Sequence, residues 1–230
     1  MWGAGSGWGP LEGPEIPDGA AFALDVLGFI PASESDVHVA AEGRVFTPSL
    51  LLDEYLLNAD QWDGYNAERK DLMAFVRDKG VRNLVALTGD IHAFFAGPVM
   101  DDYDAATPRP VMVDLVTAGI SSNSFFSYFK NVVDTDPAFA PARPLIYGEA
   151  AGEIRNTFND TLKQFNADWL RYIDTDAQGF AVVTLTETEL RCVFHKLKPL
   201  DGTQAPALPA VASQTVLTVA SGTAAVTVAA

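Results

Sequence analysis

The chain has 230 residues, 48% hydrophobic and 20% charged, proportions that suit a globular protein built on one large core, with or without an appendage. Fifteen basic residues against thirty acidic ones give a formal charge of −15, a surface that repels nucleic acid and anionic membrane and disfavours a polyanion-binding role. The lone Cys192 leaves no internal disulfide and no cysteine cluster for zinc, and no apolar run reaches the roughly 20 residues that a membrane-spanning helix needs.

Residues 1–57 read as a loop-rich N-terminal segment. Glycine and proline dominate the first twenty positions, around Trp2 and Trp8, and no dinucleotide or Walker phosphate loop can be aligned there. The first ten residues lack a basic head and an apolar stretch, so no signal peptide is visible. Residues 21–30 are apolar and fit a strand or a helix equally. His38 lies in a polar loop, where a histidine is most simply solvated. Residues 48–57 suggest a short helix with Leu51, Leu52, Tyr55 and Leu56 inward.

From Asn66 the signals sharpen. Asn66 is a helix-capping residue, Glu68 suits the positive end of a helix dipole, and Leu72, Phe75, Val76 and Lys79 recur at helical spacing up to the stop at Gly80. Leu84, Val85, Ala86 and Leu87 follow as an unbroken apolar run, the pattern of a strand buried on both faces. Helix and strand together read as an α/β unit. Gly89 then frees the backbone at the strand's carboxyl end, where open α/β sheets place their ligands.

Asp90 and His92 come next, two positions apart. An extended chain would send both side chains to one side, where a carboxylate and an imidazole make half of a metal site. On this local pattern alone, a turn aspartate and a half-buried histidine are the preferred reading.

Residues 93–100 are apolar, and Asp101, Asp102 and Asp104 after them lack calcium-loop spacing, so a solvated turn is expected. Residues 111–117 predict a second strand, whose end in Ser121, Ser122 and Asn123 would lie beside the Asp90 loop if the two strands are neighbours. Phe125, Phe126, Tyr128 and Phe129 read as core at helical spacing, residues 134–144 as a proline-rich linker, and residues 156–165 as a helix with Phe158, Leu162 and Phe165 on one face. Residues 179–185 and 189–195 form a hairpin through Thr186, Glu187 and Thr188, with Cys192 as a small apolar strand residue and His195 structural. Residues 198–230 read as a C-terminal tail, a weak β hairpin at an edge or partly disordered.

The landmarks taken together are more specific than any one of them. Gln61-Trp62-Asp63-Gly64-Tyr65-Asn66-Ala67-Glu68-Arg69 before a helix, then Gly89-Asp90-Ile91-His92, resembles the C-terminal half of PhoD-like alkaline phosphatases. The resemblance continues through Val116-Thr117-Ala118-Gly119-Ile120-Ser121-Ser122, and resumes at Asn166-Ala167-Asp168-Trp169-Leu170-Arg171-Tyr172-Ile173-Asp174 and Gln178-Gly179-Phe180. It covers about residues 58 to 195, in a consistent order.

That resemblance implies an α/β fold, the C-terminal part of a metallophosphatase-type αββα sandwich, with residues 58–197 as the portion retained. It implies hydrolysis of phosphate monoesters and diesters with calcium and iron, and an exported, extracellular or periplasmic protein. It carries metal-ligand roles onto Asp90 and His92, reversing the preference drawn from local pattern, and makes Ser121, Ser122 and Asn123 candidate substrate-binding residues; the catalytic residue is left unassigned. A bound cation would let so acidic a protein hold an anionic ester.

The departures also matter. The family carries the first half of its metal site far upstream, and no equivalent of that region is recognisable here. Where the family often has Asn-Pro-His, this chain has Asn166-Ala167-Asp168. Calcium alone takes six to eight oxygen ligands, against the two side chains that recognisable motifs supply. Two expectations follow from the residues. The chain is either a metal-dependent phosphoesterase completed by groups such as Asp63 or Asn123 or by a partner chain, or a non-catalytic, metal-free module that oligomerises to cover exposed strand edges. Serine esterase chemistry has no support, since no Gly-x-Ser-x-Gly occurs.

Overall fold

A computed structural model describes residues 30–31, 55–56, 66–103, 105–166, 169–199, 206 and 208–229. The chain divides into two units, Met1–Arg69 and Lys70–Ala230. In the first, β1 (Ile30–Pro31) pairs antiparallel with β2 (Tyr55–Leu56). Tyr55 and Leu56 are thus strand rather than the helix their spacing suggests; the rest of that stretch, with His38 and Asp63, lies outside the described residues.

The second unit is mixed α/β and holds two four-stranded sheets. Helix α1 (Asn66–Asp78) leads, through Gly80 at φ +63°, into β3 (Val85–Thr88). β4 (Phe94–Met100), β5 (Pro110–Val116) and β8 (Tyr172–Asp174) complete the first sheet in the order β3-β5-β4-β8, with β3 and β5 parallel and the other pairings antiparallel. β9 (Gly179–Leu185), β10 (Glu189–Leu197), β11 (Val211–Ala220) and β12 (Thr227–Val228) form the second, antiparallel throughout. In the chain, between β5 and β8, come α2 (Phe125–Thr135), the short α3 (Arg143–Ile146), the hairpin β6 (Tyr147–Ala150) and β7 (Glu153–Asn156), and α4 (Phe158–Phe165).

The sheets share one core. Phe94, Ala96, Val113 and Leu115 of the first bury against Cys192, Phe194, Leu217 and Val219 of the second. The rings of Phe94 and Phe194 lie 4.7 Å apart, and Tyr172 approaches Phe194 at 5.7 Å. Alternation turns the intervening residues of the first sheet outward, under helices. Met73 and Val76 of α1 cluster with Val99 and Val111, and Phe125 of α2 meets Phe95 edge-on. Strict alternation would put Val111 on the inner face with Val113. A register shift between Val99 and Met100 re-aims it toward α1, as a bulge does.

Three segments differ from expectation. The C-terminal segment read as a weak edge hairpin is a hairpin of β11 with the edge strand β12, but β11 also pairs along β10 from Glu189↔Ala220 to Leu197↔Val211 and buries Leu217 and Val219. Its small β-branched residues hide how much packing it makes, because strand preference is set by neighbours more than by the strand itself. The proline-rich linker instead contains a 3-10 turn at Ala140–Ala142 and α3, both with proline where the missing N–H costs nothing.

Asp101, expected in a solvated turn, is 5% exposed. Burial opposes its charge, but the amides of Arg109 and Asp102 and the Arg77 guanidinium at 2.8 Å hold its carboxyl below the usual range. Phe126 and Phe129 are core as expected, while Tyr128 is exposed.

Candidate functional site

The parallel pairing of β3 with β5 brings together the two loops singled out from sequence. Both strands end at the same level, Thr88 opposite Val116, and the ladder extends one step further through the Thr117 amide to the Thr88 carbonyl at 3.0 Å. Beyond it the loops 89–93 and 117–124 remain laced. The Phe125 amide donates to the His92 carbonyl at 3.0 Å, and His92 Nδ1 lies 2.8 Å from the Asn123 carbonyl oxygen. Position at the carboxyl ends of adjacent parallel strands is where such sheets bind ligands.

The extended geometry expected for Asp90-Ile91-His92 is not what the structure has. β3 stops at Thr88, and Asp90 and His92 both sit in the left-handed region, at φ +73° and +59°. Strand alternation therefore does not govern where their side chains go. Two such residues within three positions cost on the order of 1 kcal/mol or more each, and such strain collects at ligand-holding loops. Both residues are exposed.

A carbonyl oxygen can only accept, so Nδ1 of His92 is the donor in this contact, and in the neutral imidazole the lone pair then lies on Nε2. This is how a metal-ligating histidine is oriented, with its second nitrogen tied to a carbonyl. Asp90 has no hydrogen-bond or ion-pair partner among the described residues.

Ser121 and Asn123 are exposed beside this loop and Ser122 is half-buried. A third loop braces the assembly from behind. Gln178 Nε2 donates to the Ser122 carbonyl, the Gly179 amide to the Gly119 carbonyl at 3.1 Å, and Ser124 Oγ to Asp176 at 2.7 Å while it caps α2 through the Ser127 amide.

Tested against the calcium and iron centre that the resemblance implies, this donor set falls short. It offers one carboxylate and one imidazole. Among the described residues no group of three or more histidine, cysteine, aspartate or glutamate side chains is placed to hold a metal ion. Two side chains leave most positions of a calcium ion to water. The residues described do not by themselves fit such a centre.

Sequence reading missed two features here. The Asn123 carbonyl orients His92, and backbone groups leave no trace in a sequence pattern. Asp114, a lone acid in the apolar run of β5, is buried at 7% exposure and accepts from Thr88 Oγ1 at 2.8 Å. Burial pushes its carboxyl up to about 6, against the Thr88 hydroxyl and the Leu115 amide, which pull it down. Its charge within an apolar run was the available signal.

A family model described as PhoD-like phosphatase matches residues 30–194. Alkaline phosphatase D of Bacillus subtilis (strain 168) is 33% identical over 67 residues, 29% of this chain and 12% of that protein. The solved structure of PhoD superposes on 77% of this chain and 28% of its own, at a TM-score of 0.51 and 17% identity, a likeness of fold. The chain thus spans under a third of the length of each of these relatives.

Proposed function

Because the chain belongs to the PhoD-like phosphatase family, we propose that it contributes part of a metal-dependent phosphate-ester hydrolase site and is not a catalyst by itself. In this reading the two described sheets, with α1 and α2 over the first, are layers of the αββα sandwich that the family implies. Asp90 and His92 are the ligands this chain supplies. Ser121, Ser122 and Asn123, on the neighbouring loop, offer the substrate's phosphoryl group neutral hydrogen-bond donors. The observation that carries the ligand role is the hydrogen bond from His92 Nδ1 to the Asn123 carbonyl, which leaves Nε2 as the free donor atom. What supports the absence of turnover is the count of ligands: two from motifs, and no third such side chain grouped with them among the described residues.

The test is metal analysis of the purified chain together with hydrolysis of p-nitrophenyl phosphate and bis-p-nitrophenyl phosphate. Substoichiometric iron and calcium with no hydrolysis is the expected result. Near-stoichiometric iron and calcium, with hydrolysis abolished in His92→Ala, would overturn it and establish a complete enzyme.

A further inference from the structure

His92 is held at two points, and the groups that hold it flank one residue, Ser124. The His92 carbonyl accepts from the Phe125 amide at 3.0 Å, and its Nδ1 lies 2.8 Å from the Asn123 carbonyl oxygen. The Asn123 carbonyl belongs to the peptide group before Ser124, and the Phe125 amide to the one after it. Peptide groups are planar, so only the two backbone angles of Ser124 decide how that acceptor and that donor are aimed relative to each other. They stand at φ −74° and ψ 157°, the extended backbone of a helix cap.

The Ser124 side chain holds those angles. It is buried, and its hydroxyl is used in both directions: the oxygen accepts from the Ser127 amide at 3.0 Å, and the proton goes to Asp176 Oδ1 at 2.7 Å. A hydrogen bond to a carboxylate is short and strong, and this one aims the proton away from α2, leaving a lone pair for the cap. Asp176 is fixed in turn. Its amide and that of Ala177 donate to Asp174 Oδ1, at 3.2 and 3.0 Å. The neighbouring Thr175, fully buried, accepts the Phe126 amide on its carbonyl at 2.8 Å and gives its own amide and hydroxyl to Asn159 Oδ1. The first three amides of α2 are thus spent on His92, Thr175 and Ser124, and none is left over for an anion.

We propose that Ser124 and Asp176 are a positioning pair for the His92 imidazole. They hold the Asn123 carbonyl where it accepts the Nδ1 proton, and so keep the lone pair of the neutral ring on Nε2. Capping alone needs only an acceptor for the Ser127 amide; the Asp176 carboxylate is more than a cap requires. As a device that serves a ligand, the pair rests on the role proposed for His92. The ring's tautomer is measured without metal, however, so the two can fail separately.

The test is the tautomer of His92, read from the NMR shifts of its ring nitrogens at the alkaline limit of their titration. His195 is a built-in reference of opposite sense, since the Gln214 side-chain nitrogen, which can only donate, lies 3.2 Å from its Nδ1. His92 is expected as the Nδ1–H form and His195 as the Nε2–H form. Ser124→Ala should lower the Nδ1–H to Nε2–H ratio of His92 about fivefold or more, the preference that one ordinary hydrogen bond confers. Ser124→Thr should restore the ratio, and His195 should not change in either variant. Asp176→Ala, which keeps the capping oxygen, should move the His92 ratio in the same direction, and it decides the matter if Ser124→Ala does not fold. An unchanged His92 ratio in either folded alanine variant overturns the pair even where stability falls, because a cap alone lowers stability without touching the ring. An Nε2–H ring in the unaltered chain overturns it as well. Stoichiometric metal with hydrolysis, in a chain whose ratio responds as expected, would overturn the proposed function and leave the pair standing.

Discussion

Asp90 and His92 hold conformations that favour glycine; the His92 side chain ties its loop to the Asn123 carbonyl, whereas the Asp90 side chain has no hydrogen-bond or ion-pair partner among the described residues. If they are kept for their donor atoms, Asp90→Gly should be as stable as the unaltered chain or up to about 1 kcal/mol more stable, since relief of the left-handed backbone is partly offset by a freer unfolded chain. Urea denaturation measures this. A loss above about 1 kcal/mol would show that the aspartate serves the loop's structure instead.

Asp114 makes a second prediction at this scale. Its carboxyl is raised from 3.8 to about 6 by burial. Between those values the folded state binds more protons than the unfolded state, so stability falls as pH rises from about 4 to about 6 and stays reduced above. The span corresponds to a loss on the order of 3 kcal/mol. Asp114→Asn keeps an oxygen for the Thr88 hydroxyl and removes the titration. It should be the more stable protein at pH 8 and lose that part of the pH slope; an unchanged slope in the variant would assign the effect to other groups.

The elements owe their placement to a few close contacts. Phe194 is fully buried between Phe94 and Tyr172, where the two sheets meet, and Phe194→Ala should cost about 3–5 kcal/mol in denaturant unfolding. Gly179 opens β9 against the His195 carbonyl, and a Cβ there would overlap that backbone oxygen and press on the Phe94 ring. Gly179→Ala should therefore destabilise by about 1–3 kcal/mol, and a neutral result would mean that β9 can slide off its register with β10.

What the sequence made legible follows from which signals are local. The helix over α1, the β3 and β5 strands and the β9–β10 hairpin were readable from local pattern, but β3, expected to be buried on both faces, is not: Leu87 is 60% exposed. β11 was readable as a strand of a hairpin but not in its length or packing, because Thr215, Val216 and Thr218 look indifferent until β10 lies beside them. For the site, the adjacency of the Asp90 loop to Ser121–Asn123 could be anticipated from neighbouring strands. The left-handed backbone at Asp90 and His92 could not, since neither is a glycine and nothing in the local pattern marks the chain as leaving the extended conformation there.

At the scale of the whole molecule, the loop carrying Asp90 and His92 leaves the end of β3, an edge strand of the first sheet among the described residues. Among those residues no group of three or more metal-ligating side chains lies around it. The described helices include none long and apolar enough to cross a membrane.

The most direct measurement is a titration of the full chain with Mn²⁺, followed by paramagnetic broadening of its backbone and imidazole resonances. The account predicts weak, millimolar-range binding that broadens residues 89–93 and 121–123 and spares His195. Saturation at stoichiometric metal would contradict the incompleteness of the site, and broadening that bypasses His92 would contradict its role as a ligand.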